Sequence, residues 1–176
     1  MTGIVAPTVP IPASHLDLVT RPLCGVLTTM SGDGQPQSSL VWVDHDGECA
    51  RINTTLERQK GRNLLVNPKV GIIFMVPGSN ETYRVTGSAT ISTDPELLKR
   101  FEVRGKPPRV VIVVAVDEAF NHCPKAFVRA KLWDATARPS SAPSHGDFAA
   151  ARDGKDADYA RDYNEKYAER LKTELY

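Results

Sequence analysis

The sequence predicts a mainly β (α+β) protein built around six strands, and three observations lead to this expectation. Short runs rich in β-branched residues recur along the chain with turn-forming residues between them. Apolar and polar residues alternate along several of these runs, as they do in strands with one buried face. Two short stretches with helix start or stop signals interrupt the runs, and a charged segment with helical periodicity follows them.

Three strands joined by short turns open the domain. The first strand runs from Leu23 to Met30, and Ser31-Gly32-Asp33-Gly34 predicts a hairpin turn after it. The second strand covers Gln37 to Asp44, and Asp46-Gly47 predicts a tight turn into a third strand from Glu48 to Thr54. Such a succession is an antiparallel meander.

A helix and a buried strand come next. The pattern from Glu57 to Val66 fits one short helix, which ends at Asn67-Pro68 because the residue before a proline is pushed out of helical geometry. Val70 to Val76 is an almost unbroken apolar run, which predicts a strand buried on both faces.

Two further strands flank a second helix. Glu81 to Ser92 alternates as a long strand does, and Arg109 to Val116 is a valine-rich strand. Between them, Asp94 followed by Pro95 predicts a helix start with an acidic N-cap. Six mostly antiparallel strands of this kind predict a closed or nearly closed barrel, because closure removes exposed strand edges.

The segments outside the barrel differ in composition from it. Residues 1–20 predict an extended arm, residues 21–134 the barrel domain, and residues 135–146 a linker rich in proline, serine and alanine. Residues 147–176 predict a helical extension, in which Tyr159, Tyr163, Tyr167 and Leu171 recur every four positions. We expect this extension to pack against the barrel or a second subunit; a role in covering the active site is the alternative.

Composition excludes several classes of function. The chain has 176 residues, enough for one domain with a core and a short extension. Its 22 basic and 21 acidic residues give no electrostatic reason to expect nucleic acid or a membrane surface as partner. No apolar run approaches the roughly 20 residues that span a bilayer. The three cysteines are widely spaced and form no C-x-x-C pair, so we expect a reduced, cytoplasmic protein without a zinc site.

The densest polar cluster lies where the third strand meets the first helix. Asn53, Thr54 and Thr55 close the strand, and Arg58 and Lys60 begin the helix. Helix N-termini present unpaired N–H donors and a partial positive charge, so cations are unfavourable there unless an anion neutralises them. The cluster therefore predicts a phosphate site, with a solvated basic turn as the alternative.

The sequence shows no hydrolytic, metal or nucleotide-loop machinery. Ser38-Ser39 do not lie in a G-x-S-x-G elbow, and the four histidines are scattered. His122 and Cys123 are adjacent, so their side chains point in different directions and a shared ligand role is not expected. Glycine-rich loops of the Rossmann or P-loop kind are absent from the sequence.

Several longer motifs carry a family resemblance between Leu23 and Trp133. In the first half they are Gly25-Val-Leu-Thr-Thr, Gln35-Pro-Gln-Ser-Ser-Leu-Val-Trp-Val, Asn53-Thr-Thr-Leu-Glu-Arg-Gln-Lys-Gly-Arg-Asn-Leu and Asn67-Pro-Lys-Val. In the second half they are Val76-Pro-Gly-Ser-Asn-Glu-Thr-Tyr-Arg-Val-Thr-Gly, Ile91-Ser-Thr-Asp-Pro-Glu-Leu-Leu and Ala119-Phe-Asn-His-Cys-Pro-Lys-Ala-Phe-Val-Arg-Ala-Lys-Leu-Trp. This segment resembles the pyridoxamine 5'-phosphate oxidase-like flavin-binding split barrels. The first half is similar to an actinobacterial branch in which many members use a deazaflavin, coenzyme F-420, and the second half to a branch usually assigned to FMN.

The resemblance implies a six-stranded antiparallel split β-barrel with short inserted helices and a C-terminal helical extension. It also implies a cofactor site, in which Lys60 matches the lysine that meets the cofactor phosphate and Ser38 to Val41 match the segment along the ring system. Gln59 stands where the vitamin-processing oxidases have arginine, which favours the wider family. Lys125, Arg129 and Trp133 resemble residues delivered from the second subunit; a dimer-interface or packing role is the alternative. The complete set of expected cofactor-binding residues is Ser38, Ser39, Leu40, Val41, Asn53, Thr54, Thr55, Arg58, Lys60, Asn63, Glu81, Thr82, Lys125, Arg129 and Trp133.

The function that the resemblance implies is hydride transfer between FMN and a small organic substrate, performed by a homodimer with cofactor sites at the subunit interface. The cofactor carries the chemistry in such enzymes, so no catalytic side chain is expected. A coenzyme F-420-dependent reductase on the same fold is the first alternative. A flavin- or haem-binding protein with little turnover and an inert dimeric interaction module are the others.

Overall fold

The computed structural model describes residues 23–45, 49–137, 139 and 141–173. Within them, six antiparallel strands form a closed barrel in the order β1-β2-β3-β6-β5-β4, which confirms the predicted fold class. The strands are β1 (Leu23–Met30), β2 (Pro36–His45), β3 (Cys49–Thr54), β4 (Lys69–Met75), β5 (Thr82–Ser92) and β6 (Val110–His122). The described helices are α1 (Gln59–Val66), α2 (Pro95–Arg100), α3 (Lys125–Ala130), α4 (His145–Asp153) and α5 (Ala157–Thr173).

The barrel interior is filled by alternate side chains of all six strands. Leu27, Val43, Ile52, Phe74 and Val85 are all fully buried there, with aliphatic neighbours from β6. Burying such side chains stabilises a fold by about 1.5–3 kcal/mol each. The predicted burial of β4 on both faces is wrong in the described chain. Its exposure alternates, because only one face points into the barrel.

The predicted end of the last strand is also wrong. The strand does not stop at Val116 but continues to His122. Thr86 pairs with Glu118 and Gly87 with Val116, so Asp117 is the extra residue of a β-bulge. Asp117 and Glu118 have the polar composition of a turn, but the β5–β6 ladder continues on both sides of them.

Helix α2 begins as predicted. The Asp94 carboxylate accepts hydrogen bonds from the backbone N–H groups of Glu96 at 2.9 Å and Leu97 at 3.2 Å, and Pro95 occupies the first turn. The Arg100 Nε donates at 2.6 Å to the Asp44 carboxylate, which is fully buried at the end of β2. This ion pair ties the helix to the barrel wall.

The ladder between β2 and β3 is short, and this determines where the barrel is open. Its described pairs are only Val43–Ile52, Asp44–Arg51 and His45–Ala50. The first six residues of β2, 36–41, pair with β1 and form no described ladder pair with β3. Helix α1 lies next to this gap and contacts β1.

The chain divides into two compact units, the second comprising Val103–Lys106 and Asp134–Tyr176. The single helix expected over residues 147–176 is instead two helices, α4 and α5, separated at Gly154, which ends α4 with φ 64°. Gly146 permits the two helices to meet, because a Cβ there would lie 2.0 Å from the Ala160 carbonyl oxygen. The Asn164 amide oxygen accepts from the Gly146 N–H at 2.7 Å.

Some expectations fall outside the described residues: the extended arm of residues 1–20 and the Asp46-Gly47 turn. The segment expected as a loose linker contains a 3-10 turn at Ala135–Ala137, and α4 already begins at His145. Among the helices that the structure describes, none combines the length and apolar character that crossing a membrane requires.

Candidate cofactor site

The N-terminus of α1 offers free backbone donors. Its N-cap residue Arg58 has extended backbone angles, and its side chain makes no capping hydrogen bond. The N–H groups of Gln59, Lys60 and Gly61 make no hydrogen bond to any acceptor in the described part of the chain. Unpaired first-turn donors and the partial positive charge of the helix end suit an anion.

Two cations stand at this same positive end of the helix. Burial lowers the pKa of Lys60 from its ordinary value, and the neighbouring Arg58 charge lowers that pKa further. The protonated form of Lys60 is therefore less favoured here than in a fully solvated lysine. A bound anion would reverse both effects, because it supplies the missing counter-charge.

Gly61 allows the turn before α1 to fold tightly onto the helix. A Cβ at this position would lie 2.9 Å from the Leu56 Cα and from the carbonyl oxygens of Leu56 and Thr55. Arg62 braces the same turn, since its Nη1 donates to the Glu57 carbonyl oxygen at 2.6 Å. The backbone of residues 55–61 thus forms a tight turn around the N-terminus of α1, which we call the cradle.

Acidic charge beside the cradle is already compensated. The Arg109 Nη1 lies 3.1 Å from the Glu57 carboxylate. The pKa of Glu57 is lowered first by its own backbone N–H, then by the Thr55 hydroxyl and Arg109. The site therefore keeps an excess of positive charge at Arg58 and Lys60.

Asn63, expected as a cofactor ligand, is engaged within the protein. It is buried, and its Nδ2 donates to the Thr29 Oγ1 at 2.9 Å and the Gln37 Oε1 at 3.2 Å. Its Oδ1 accepts from the Gln59 Nε2 at 2.8 Å. Asn63 thus attaches α1 to β1 and β2, which makes it a positioning residue for the cradle.

Asn53 and Thr54 end β3 immediately before the cradle, and both are buried. The Asn53 Nδ2 has no hydrogen-bond partner among the residues that the structure describes. The Thr54 hydroxyl has only a long contact of 3.5 Å with the Thr55 carbonyl oxygen. Buried polar groups are normally hydrogen-bonded, so this corner fits a ligand that carries acceptor oxygens.

The segment Ser38 to Val41 lies on the part of β2 that faces the gap. The Ser38 and Thr28 hydroxyls are 2.9 Å apart across the β1–β2 pair. Leu40 points outward and is 71% exposed, whereas Val41 points into the core. Val41 can therefore contribute only its backbone to a ligand.

Thr82 begins β5 and Glu81 directly precedes it, and both contact the end of β6. The Thr82 hydroxyl is buried and donates to the His122 carbonyl oxygen at 3.2 Å. The Glu81 carboxylate accepts from the Asn121 Nδ2 at 3.2 Å and is exposed. Of the two side chains, Glu81 has the more accessible polar group.

Lys125, Arg129 and Trp133 follow β6. Lys125 and Arg129 are exposed and one helical turn apart on α3. The Trp133 Nε1 donates to the Ser79 carbonyl oxygen at 2.6 Å, and its ring meets the Phe127 ring edge-on at 6.0 Å. Trp133 therefore fastens the segment after α3 to the β4–β5 turn of its own chain.

The expected residues thus form two separate groups. The first, which we call the phosphate corner, is Asn53, Thr54, Thr55, Arg58 and Lys60 with the neighbouring β2 segment. The second, the β5 group, is Glu81, Thr82, Lys125, Arg129 and Trp133.

The strand register measures how far apart the two groups lie. Thr29 of β1 is hydrogen-bonded to Asn63 of α1 and so marks the level of the phosphate corner. Cys24 of β1 pairs with Met75 of β4, which pairs with Thr82 of β5, so Cys24 marks the level of the β5 group. Thr29 and Cys24 are five residues apart along β1. Five residues of strand span about 16 Å. Within the described chain the two groups therefore do not meet.

Sequence reasoning missed the structural roles of Gly61 and Gln37. Gly61 lies inside the motif that runs from Asn53 to Leu64, but the identity of its neighbours does not reveal that backbone packs against it. Gln37 is visible only as a polar strand residue, and its contact with Asn63 spans 26 positions.

Comparison with known proteins agrees with this architecture. The family model described as Pyridoxamine 5'-phosphate oxidase matches residues 11–123. No curated protein matches the chain. Three similar solved structures show the range of relatives.

An F420 reductase is 32% identical, with a TM-score of 0.53 over 62% of this chain and 98% of its own. HupZ of Group A Streptococcus is 24% identical, with a TM-score of 0.55 over 63% of this chain and 93% of its own. The conserved hypothetical protein Rv2991 of Mycobacterium tuberculosis is 21% identical, with a TM-score of 0.52 over 81% of this chain and 98% of its own. The last two show the fold alone.

The closed six-stranded antiparallel barrel with its inserted helices is the architecture of the split-barrel class. The family match covers well over half of the chain, from residue 11 to residue 123. The protein belongs to the pyridoxamine 5'-phosphate oxidase family.

Proposed function

We propose that this protein is an FMN-dependent oxidoreductase that transfers a hydride between the flavin and a small organic substrate, and that it works as a homodimer. The observation that carries the proposal is the phosphate corner. Three free N–H groups, a lysine with a lowered pKa and an unpartnered buried amide meet there. Each of these is a feature that a phosphate ester would satisfy.

The residues of this chain bind and orient, while a bound flavin supplies the hydride chemistry. Lys60, Arg58 and the first turn of α1 hold the phosphate. Those backbone N–H groups of Ser38 to Val41 that point away from β1 are the donors that the chain offers to a ring laid on this side of β2. Preorganised donors of this kind stabilise charge that develops on the ring.

The homodimer is proposed from the outer face of the barrel. By register, Leu40, Val26 and Ile73 stand side by side on β2, β1 and β4. Leu40 is 71% exposed in the middle of a strand, and Val26 and Ile73 are half-buried. A second copy that covers this row would bury the exposed Leu40 side chain.

A cytoplasmic location is part of the proposal. Cys24, Cys49 and Cys123 are free thiols, and Cys24 and Cys123 are exposed. Free exposed thiols are typical of a reducing compartment.

A coenzyme F-420-dependent reductase is the second candidate. The 32% identity with an F420 reductase over 62% of the chain favours it. The phosphate corner serves either cofactor, because a phosphate is common to both. The two candidates therefore differ in what lies beyond the phosphate.

The test is a titration of the full-length protein with FMN and, separately, with coenzyme F-420, followed by the change in cofactor fluorescence. We expect one of them to bind tightly and Lys60→Ala to weaken that binding roughly 10- to 100-fold, as the loss of a charged hydrogen bond does. Lys155→Ala, an exposed lysine of the second unit, is the matched control.

Tight FMN binding supports the first candidate, and weak FMN with tight F-420 binding supports the second. A protein that binds neither cofactor would contradict both. Unchanged affinity in Lys60→Ala would contradict the assignment of the phosphate corner.

A further inference from the structure

Lys60 brings two functional groups to the N-terminus of α1, a free backbone N–H and a side-chain amine. It is the second residue of the helix, after Gln59 and the N-cap residue Arg58. Because Cα–Cβ bonds tilt towards the N-terminus of a helix, the Lys60 side chain starts out towards the free donors of the first turn. The amine and the anion-binding backbone therefore belong to one small region of the molecule.

The environment of the Lys60 amine favours its neutral form. The side chain is half-buried, and burial first, then the Arg58 charge, lower its pKa. Glu57, the acid nearest to it in the sequence, is paired with Arg109 instead. A neutral amine has a free electron pair, so Lys60 is a stronger nucleophile than a fully solvated lysine.

The surroundings of this amine suit a negative group attached to it. The backbone N–H groups of Gln59, Lys60 and Gly61 accept no partner in the described part of the chain, and Arg58 adds a positive charge. Asn53 is buried at the end of β3, and its Nδ2 has no hydrogen-bond partner among the described residues. A carboxylate on the end of the Lys60 side chain would supply the acceptor oxygens that these donors lack.

We propose that, in the cofactor-free protein, Lys60 takes up carbon dioxide as a carbamate that lies in the phosphate corner. The neutral amine nitrogen attacks the carbon of CO2, an N–C bond forms as one C–O π bond opens, and the nitrogen releases one proton to water. Nothing is oxidised or reduced, and CO2 is the only co-reactant. The reaction converts a neutral amine into the anion that the donors of the corner can hold.

The carbamate gives the phosphate corner a second occupant, which regulates the first. In this respect the inference rests on the proposed function, because the carbamate and the cofactor phosphate compete for the same donors. A bound phosphate also favours the protonated lysine, which does not react with CO2. Carbon dioxide should therefore weaken cofactor binding, and the cofactor should protect Lys60 from modification.

The experiment that detects the carbamate uses the full-length, cofactor-free protein and bicarbonate labelled with carbon-13, in equilibrium with CO2. The carbamate is followed by carbon-13 NMR, trapped as an ester with triethyloxonium ion and located by mass spectrometry of peptides. We expect the ester on Lys60 and not on the exposed Lys155. The α-amino group, with an ordinary pKa of about 7.7–8.0, forms carbamates as well. The NMR signal assigned to Lys60 is therefore the one that is absent from Lys60→Arg.

Arg58→Gln tests whether the surroundings stabilise the carbamate, since it removes the neighbouring charge and leaves the amine in place. We expect CO2 uptake at Lys60 to weaken roughly 10-fold or more, as it does when a charge-assisted hydrogen bond is lost. Arg161→Gln, an exposed arginine of α5 paired with Asp158, is the control and keeps the wild-type uptake. Equal uptake in Arg58→Gln and wild type would contradict a carbamate held in the phosphate corner.

Cofactor titration with and without bicarbonate, at equal ionic strength, tests the competition. The titrant is FMN, or coenzyme F-420 if that is the cofactor which binds. We expect bicarbonate to raise the dissociation constant of the wild type and to leave that of Lys60→Arg unchanged. Equal weakening in both proteins overturns the inference, because bicarbonate then acts only as a competing anion.

The two measurements also separate this inference from the proposed function. If Lys60 forms the carbamate and the protein binds neither cofactor, the proposed function fails and the modification site stands. If the cofactor binds tightly and no ester forms on Lys60, or no more than on Lys155, the proposed function stands and the inference is overturned.

Discussion

At the scale of single residues, the environment of Lys60 is the one that a bound anion would stabilise. Lys60 is half-buried beside Arg58, and burial first, then the Arg58 charge, lower the pKa of Lys60 from its ordinary value. Between this lowered pKa and the ordinary value of 10.5, the unfolded chain binds more protons than the folded protein. The stability of the cofactor-free protein therefore rises with pH in that window. A bound phosphate would shift the pKa of Lys60 in the opposite direction, because an adjacent anion favours the protonated lysine.

Cofactor affinity should consequently depend on pH through Lys60. Above its lowered pKa, phosphate binding must restore the lost proton, so affinity falls as pH rises through a range below 10.5. We expect this loss in the wild type and not in Lys60→Arg, whose guanidinium stays protonated. The measurement is the FMN dissociation constant between neutral pH and about pH 10, the ordinary range of lysine titration. Parallel pH profiles in the two proteins would show that Lys60 does not meet the phosphate.

At the scale of elements, the predictable parts are those with local signals. The bounds of β1 and the Asp94 cap of α2 follow from turn residues and capping chemistry within a few positions. The end of β6 does not, because the bulge at Asp117 depends on pairing with a strand about thirty residues away. The candidate site divides in the same way. Arg58 and Lys60 are visible as cations at a helix start, whereas the Asn63 contacts to Thr29 and Gln37 exist only in the folded barrel.

Helix α1 depends on one glycine for its place in the site. In Gly61→Ala, the new Cβ would meet three backbone atoms at 2.9 Å, and backbone cannot swing aside as a side chain can. We expect the free energy of unfolding to fall by about 1–3 kcal/mol, the usual cost of overpacking. We also expect cofactor affinity to fall, because the cradle opens. Urea denaturation and FMN titration measure the two effects.

Gly32→Ala provides the matched comparison for Gly61→Ala. A Cβ at Gly32 meets only the Val66 side chain, at 3.5 Å, which is an ordinary contact. It should leave both stability and cofactor affinity close to wild type. If Gly61→Ala behaves as Gly32→Ala does, the tight turn is not what shapes the phosphate corner.

At the scale of the whole molecule, the proposed homodimer bears on two groups of expected residues that lie apart within one chain. One barrel holds the phosphate corner at one end of β1, and the β5 group lies about 16 Å along the strand direction from it. The apolar row of Leu40, Val26 and Ile73 is the surface that would bring the second copy into place. Cofactor binding and dimerisation should therefore be lost together when this row is charged.

Leu40→Lys tests this coupling. A lysine in this row would have to be desolvated when two copies meet, so we expect a monomer that binds FMN at least about 10-fold more weakly. Analytical ultracentrifugation and FMN titration provide the two readouts. Leu171→Lys, an equivalent change at an exposed leucine of α5, should keep both properties. Lys60→Ala completes the comparison, since it should lose the cofactor and remain dimeric. A dimeric Leu40→Lys variant would contradict the proposed interface, and a monomeric variant with full FMN affinity would show that one chain suffices for the cofactor.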